Sequence, residues 1–205
     1  MTHVLAVCTG NVCRSPATER LLAARLGAGS GITVASAGTH ALVGQPVDPP
    51  MAELVRAAGA RPEPFTARQL TAGEIRAADV VLVMTRRHRS AVVALEPAAV
   101  RRTFLLPELA ALAGAVAEAG WPAEHPAGRL AALPGLVPAR RGQVRLPQLL
   151  EVDDPYLQPA ALYARVVAQI SGAVDELVRA LDEPAAPGAP TPPDRVIPPR
   201  DPDFQ

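Results

Sequence analysis

The sequence predicts an α/β fold: a doubly wound, four-stranded parallel sheet with helices on both faces. Three observations carry this expectation. Short, near-continuous apolar runs, HVLAV at 3–7 and DVVLVM at 79–84, read as strands buried on both faces. Between such runs lie stretches with apolar residues three and four apart, the spacing of amphipathic helices. A length of 205 residues, 49% of them hydrophobic, suits one globular domain with room for an insertion or a tail.

Taken in order, residues 3–7 form the first strand. Residues 16–26 (PATERLLAARL) form the first helix, with Pro16 in its first turn and Ser15 at its cap. The stretch CTGNVCRSP joins the two. A second strand follows at 32–36, a second helix at 49–58, the clearest buried strand at 79–84 and a fourth strand at 100–105. The last helix, at 159–181, places Leu162, Val166, Ile170, Val174, Leu177 and Leu181 on one face. Residues 1–181 therefore read as one domain. Within it, about 107–150 reads as an insertion: an Ala-rich helix candidate, then Pro- and Gly-punctuated sequence without a clear assignment. The insertion is expected either to cover or dock near the mouth of the site, because it runs into residues 153–156, or to be a surface expansion. Residues 182–205 are too proline-rich to fold alone and are expected to be a disordered tail.

Twenty basic and twenty acidic residues balance, so nothing in the charge predicts a nucleic-acid or membrane partner. All twenty basic residues are arginine, which removes lysine chemistry. The start MTHVLAVC lacks the charged lead and apolar length of a secretory leader, and no run approaches the roughly 18 residues of a membrane span, so a cytoplasmic location is expected. His3, His40, His88 and His125 show no ligand spacing, so no metal is expected. TRRHRS at 85–90 reads as a solvated helix start.

Both cysteines of the chain, Cys8 and Cys13, fall in the strand-to-helix connection. Backbone N–H groups of a tight loop converge on an anion, and the following helix adds free donors and the positive end of its dipole. Gly10 permits close backbone approach, Asn11 tolerates a left-handed conformation, and Arg14 can grip two oxygens at once. The same donors and cation favour a thiolate at Cys8. A thiolate beneath a bound tetrahedral phosphate is placed for attack at phosphorus and a phosphocysteine intermediate. The connection itself contains no acid for the leaving group.

VCTGNVCRSP resembles the phosphate-binding loop of the low-molecular-weight protein tyrosine phosphatases, whose signature is Cys, five residues, Arg and Ser near the N-terminus. The resemblance continues into SAGT at 36–39 and DPY at 154–156. It implies a flavodoxin-like fold and a cysteine-dependent phosphatase acting on phosphotyrosine-type monoesters without a cofactor. Cys8 would be the nucleophile, Arg14 the phosphate clamp, and Asp154, directly before Pro155, the general acid and then base, with Asp153 as its rival. Thr9, Gly10, Asn11, Val12, Cys13 and Ser15 would surround the phosphate, with Ser36 bracing the loop. Ser15 would also support the leaving thiolate. Leu42 and Tyr156 would flank the substrate, and Cys13 could pair reversibly with Cys8 against over-oxidation.

Leu42 stands where the family usually carries a large aromatic residue, which weakens one wall of a phosphotyrosine slot. By the same resemblance Val12 favours the tyrosine-directed branch over phosphoarginine relatives, which carry threonine there. Arsenate reduction on the same loop is the first alternative, although no further cysteine is present to relay a disulfide. A catalytically silent binder of phosphorylated ligands is the second. The expected substrate is a phosphorylated protein or a small aryl phosphate, and the oligomeric state is left open.

Overall fold

The structure, a computed structural model, describes residues 1–148 and 150–183. Four strands, β1 (Thr2–Cys8), β2 (Ile32–Gly38), β3 (Val80–Val83) and β4 (Thr103–Leu105), form one sheet in the order β2-β1-β3-β4. Every pairing is parallel, with Val4 opposite Val34 on one side and Val80 on the other. Among the described residues seven α-helices connect and cover the strands: α1 (Arg14–Leu26), α2 (Pro49–Ala57), α3 (Ala72–Ala77), α4 (Arg86–Leu95), α5 (Leu106–Ala119), α6 (Pro126–Arg140) and α7 (Ala160–Asp182).

Alternation along each strand divides the core in two. Val4, Cys8, Leu82, Met84 and Phe104 point into the larger half, with α1, α2, α5, α6 and α7. Leu5, Val7, Val81, Val83 and Leu105 point into the smaller half, where Ile75 of α3 and Val92 of α4 close the other face. Apolar side chains on both faces are why these strands show continuous hydrophobicity in place of alternation. In α7 the expected stripe is buried from Val166 to Leu181, with Leu162 packed at its edge.

Three local expectations are corrected. Helix α1 begins at Arg14, so Ser15 lies inside it; Cys13 occupies the cap position and no side chain caps the helix. The fourth strand covers only Thr103–Leu105, because Pro97–Arg102 winds into a 3-10 helix. The segment starting at Thr85 becomes α4, whose His88 is buried where a solvated stretch was expected.

The segment expected as an insertion, at about 107–150, carries α5 and α6, and both helices are integral to the core. Leu109, Leu112 and Val116 of α5 join Leu130, Leu133 and Val137 of α6 in the larger hydrophobic cluster, against α7. Pro134 and Pro138 lie inside α6. Each removes a helical N–H donor, which obscured the helix in the sequence, but burial of the face 130, 133 and 137 outweighs that cost. Trp121 donates its indole N–H to the carbonyl of Ala180 at 2.9 Å. Arg129 reaches the carbonyls of Leu181 and Glu183, both at 2.7 Å, satisfying acceptors that the end of α7 leaves open. The tail expected at 182–205 lies outside the described residues apart from its first two.

Leu133→Ala tests whether α6 belongs to the core. It is expected to lower unfolding stability by about 2–5 kcal/mol in urea titrations, as for a fully buried leucine, whereas a peripheral helix would lose far less.

Candidate active site

The connection from β1 to α1 wraps tightly at the carboxyl end of the sheet, beside the crevice where parallel sheets bind ligands. Its carbonyls are drawn outward by one neighbouring segment. Those of Cys8, Thr9, Gly10 and Val12 accept from the N–H groups of Thr39, His40, Leu42 and Asp48 at 2.9, 3.0, 2.9 and 2.9 Å. Across a planar trans peptide the next residue's N–H points the opposite way. The amides of Thr9, Gly10, Asn11 and Cys13 are thereby turned toward the centre of the loop, which makes the anion cradle that the sequence suggested.

Asn11 is the strained residue, with φ of 54°, and its fully buried side chain compensates. Its Nδ2 donates to Ser15 Oγ and Ser36 Oγ, both at 2.9 Å, and its Oδ1 accepts from the Arg68 N–H at 2.9 Å. Ser36 Oγ in turn donates to Glu19 at 2.6 Å. Gly38 is required by close approach: a Cβ there would meet the Thr9 carbonyl oxygen at 2.5 Å.

Cys8 Sγ and Ser15 Oγ are 3.0 Å apart. A thiolate can only accept, so in that form Ser15 is the donor. Arg14, buried at 3% exposure, extends one nitrogen to the Val152 carbonyl at 3.1 Å and the other to Asp154 Oδ2 at 2.6 Å. Its Nε is buried without a hydrogen-bond partner among the described residues. The Asp154 carboxylate is half exposed, and its Oδ1 accepts from the Tyr156 N–H at 3.3 Å. The segment bearing it is anchored at both ends. The Val152 N–H donates to the Met84 carbonyl at 2.8 Å, and Tyr163 of α7 accepts from the Leu157 N–H at 3.2 Å while donating to Asp48 at 2.7 Å. Burial and the bond to Asp48 push the Tyr163 phenol upward, keeping it a neutral donor.

A cavity of about 170 Å³ opens on the loop. Cys8, Thr9, Gly10, Val12, Cys13 and Arg14 line it, Asp154 joins them, and Leu42 and Tyr156 form walls. The twelve expected site residues are thus distributed in two ways. Those lining the cavity can touch a ligand, whereas the side chains of Asn11, Ser15 and Ser36 lie behind the loop and hold it. Asp153 does not line this cavity: it is exposed, lies 3.9 Å from Arg165, and borders an adjoining cavity with Thr9, Arg14 and His88. None of the lining residues comes from α5 or α6. Both cysteines are free thiols, and burial, followed by the negative charge of Asp48, pushes the Cys13 thiol upward so that it stays protonated.

Two histidines at the site were missed. His40 lines the cavity wall. His88 Nε2 lies 2.9 Å from Thr9 Oγ1 in the loop, and its Nδ1 lies 2.9 Å from Thr85 Oγ1. Thr85 caps α4 by accepting the His88 N–H. Thr85, three residues ahead of His88, was legible as a helix cap, but the inward turn of the ring depends on the non-local contact with Thr9. Burial first, then the Arg14 cation, lower the His88 pKa from 6.5 to about 4, with Asp154 opposing and Arg87 adding.

Residues 3–117 match the family model described as low molecular weight phosphotyrosine protein phosphatase. The chain is 42% identical over 102 residues to the low molecular weight protein-tyrosine-phosphatase Etp of Escherichia coli K12, covering 50% of this chain and 67% of Etp. Among solved structures it resembles the Erwinia amylovora tyrosine phosphatase AmsI, with a TM-score of 0.66, 26% identity, and 88% and 93% of the two chains covered. It also resembles Vibrio vulnificus Wzb in complex with benzylphosphonate, with a TM-score of 0.63, 26% identity, and 87% and 97% covered. The family match ends at residue 117, before Asp154. The contact between Asp154 and Arg14 is a result of the structure.

The neutral His88 carries a pH signature. Between about pH 6.5 and 4 the unfolded chain holds a proton at this position that the folded chain lacks, so stability falls as pH drops through that window. His88→Gln is expected to reduce that fall, measured by urea unfolding at a series of pH values; an identical fall in both proteins would refute the assignment.

Proposed function

The chain belongs to the low molecular weight phosphotyrosine protein phosphatase family, and on that premise we propose that it hydrolyses phosphotyrosine-type monoesters through a phosphocysteine at Cys8. The observation that carries the reading is the 2.6 Å contact between Arg14 and Asp154, which brings clamp and acid to the cavity that Cys8 lines.

The phosphate's non-bridging oxygens take the inward amides of the loop and the Arg14 guanidinium, including its partnerless Nε. The dianion competes with Asp154 for Arg14 and frees the carboxyl to serve the leaving oxygen. Cys8 attacks phosphorus in line, Asp154 protonates the departing alcohol, and Ser15 supports the sulfur with its hydrogen bond. In the second half Asp154 takes a proton from water as that water attacks the phosphocysteine, and Cys8 leaves as thiolate. Asp154 is preferred to Asp153 as the acid because it contacts Arg14 and lines the cavity with Cys8, which Asp153 does not.

Leu42 and Tyr156 favour a flat apolar leaving group between them, such as a phosphotyrosine ring or a small aryl phosphate. A nucleophile, a clamp and an acid at one cavity argue against a silent binder. The position of Cys13 in the same loop supports a protective role: peroxide oxidises Cys8 to a sulfenic acid, which condenses with the Cys13 thiol, releasing water and leaving a disulfide. A cytoplasmic location suits two cysteines that function as thiols.

Cys8→Ser is expected to abolish para-nitrophenyl phosphate hydrolysis, and Arg14→Ala to lower kcat/KM by about 10²–10³-fold. Asp154→Ala should slow turnover by about 10²–10⁴-fold, most for alcohols that leave poorly. Full activity in Cys8→Ser would end the proposal. For the redox role, activity lost to peroxide should return with dithiothreitol in the unmutated protein and fail to return in Cys13→Ala.

A further inference from the structure

Away from the phosphate loop, α4, the 3-10 helix and the end of α6 enclose a groove of about 350 Å³ that shares no lining residue with the loop cavity. Each element contributes an arginine: Arg89 from α4, Arg101 from the 3-10 helix, and Arg141 at the end of α6. No carboxylate is among the lining residues. Glu108, buried at the start of α5, serves two of the cations at once: Oε1 lies 2.8 Å from Arg141 and Oε2 4.0 Å from Arg89. Oε2 also accepts the Leu105 N–H at 3.3 Å. Arg101 forms no ion pair among the described residues. In a chain whose formal charge is zero, three cations against one shared carboxylate make this groove locally positive.

The floor beneath the cations is apolar. Phe104 and Val137 are buried at its base, and Val100 is partly open to solvent. Pro134 and Pro138, four residues apart in α6, place their rings on the same helical face toward the groove. Proline rings have almost no side-chain freedom to lose on binding, so this wall is organised in advance. The prolines that weaken α6 as a helix thus acquire a reason in the surface they form.

We propose that this groove is a second binding site, for a small amphiphilic anion: a compact aromatic or branched aliphatic body carrying one phosphate, sulfonate or carboxylate group. Arg89 and Arg141 already converge on one carboxylate, and Arg101 adds donors that no protein group among the described residues uses. Guanidinium groups hold such oxyanions through paired N–H donors. The volume is at the small end of ligand pockets, about 300–1,000 Å³, which fits one or two rings and excludes a long acyl chain. The site is independent of the phosphatase reaction, because it lies outside the loop and the acid segment.

The test uses the full-length chain and 8-anilinonaphthalene-1-sulfonate, titrated by fluorescence with saturating inorganic phosphate present to occupy the loop. Saturable binding that weakens with rising salt is expected. Arg101→Glu should weaken it at least tenfold while para-nitrophenyl phosphate turnover stays unchanged, which shows that the variant is folded. Val100→Asp, at an exposed floor position, should do the same. N-phenyl-1-naphthylamine, which keeps the rings and lacks the sulfonate, should bind at least tenfold more weakly than the anionic probe. Equal affinity in Arg101→Glu, or equal affinity for the neutral probe, would overturn the proposal.

Discussion

The buried carboxamide of Asn11 holds together everything that could do chemistry here. A loop that turns its amides inward must run its backbone through a left-handed residue, and alone that conformation is unfavourable. Three hydrogen bonds from one side chain make it the preferred state by fastening the loop to α1 through Ser15, to β2 through Ser36 and to the segment before α3 through Arg68. Ser15 passes the same network to the sulfur of Cys8. The nucleophile's surroundings are therefore set by a residue that never faces the cavity. Buried polar groups of this kind are stabilising only when fully satisfied, and each partner found here meets that condition.

Much of this was legible in the sequence because it is local. A strand, a short loop and a helix N-terminus are contiguous, so Cys8, Gly10, Asn11 and Arg14 could be read together from one stretch. The sheet was equally plain, since strands covered on both faces are continuously apolar. What failed to show was non-local or contrary to propensity. Nothing in TRRHRS announces that its histidine turns inward, because that depends on Thr9 lying above the same strand end. Nor does a segment with two internal prolines announce a core helix, because its stability comes from packing on α5 and α7. Ser15 misled for the opposite reason. A serine ahead of a helical run is usually a cap, but here its hydroxyl is already engaged with Asn11 and Cys8.

Helices α5 and α6 bear on the site through architecture alone. They bury their apolar faces beneath α7, and α7 supplies Tyr163, which holds the chain just after Asp154. Arg129 of α6 binds the last carbonyls of α7 and so secures its far end. In this arrangement α5 and α6 pack on the helix that anchors the segment bearing Asp154, without contributing a residue to the cavity. The grooved outer side of α6 is left with a surface character of its own, more cationic than the chain's balanced charge would suggest.

The contact of Arg14 with residues 152 and 154 joins positions 138 or more apart in the chain. Closing so long a loop is entropically costly and belongs to the late steps of folding. As the polypeptide leaves the ribosome, the residues of the loop emerge first, and Asp154 follows only after β4, the last strand among the described residues, has been synthesised. Under the proposed reaction, turnover would be a report that residues 14 and 154, so far apart in the chain, have met.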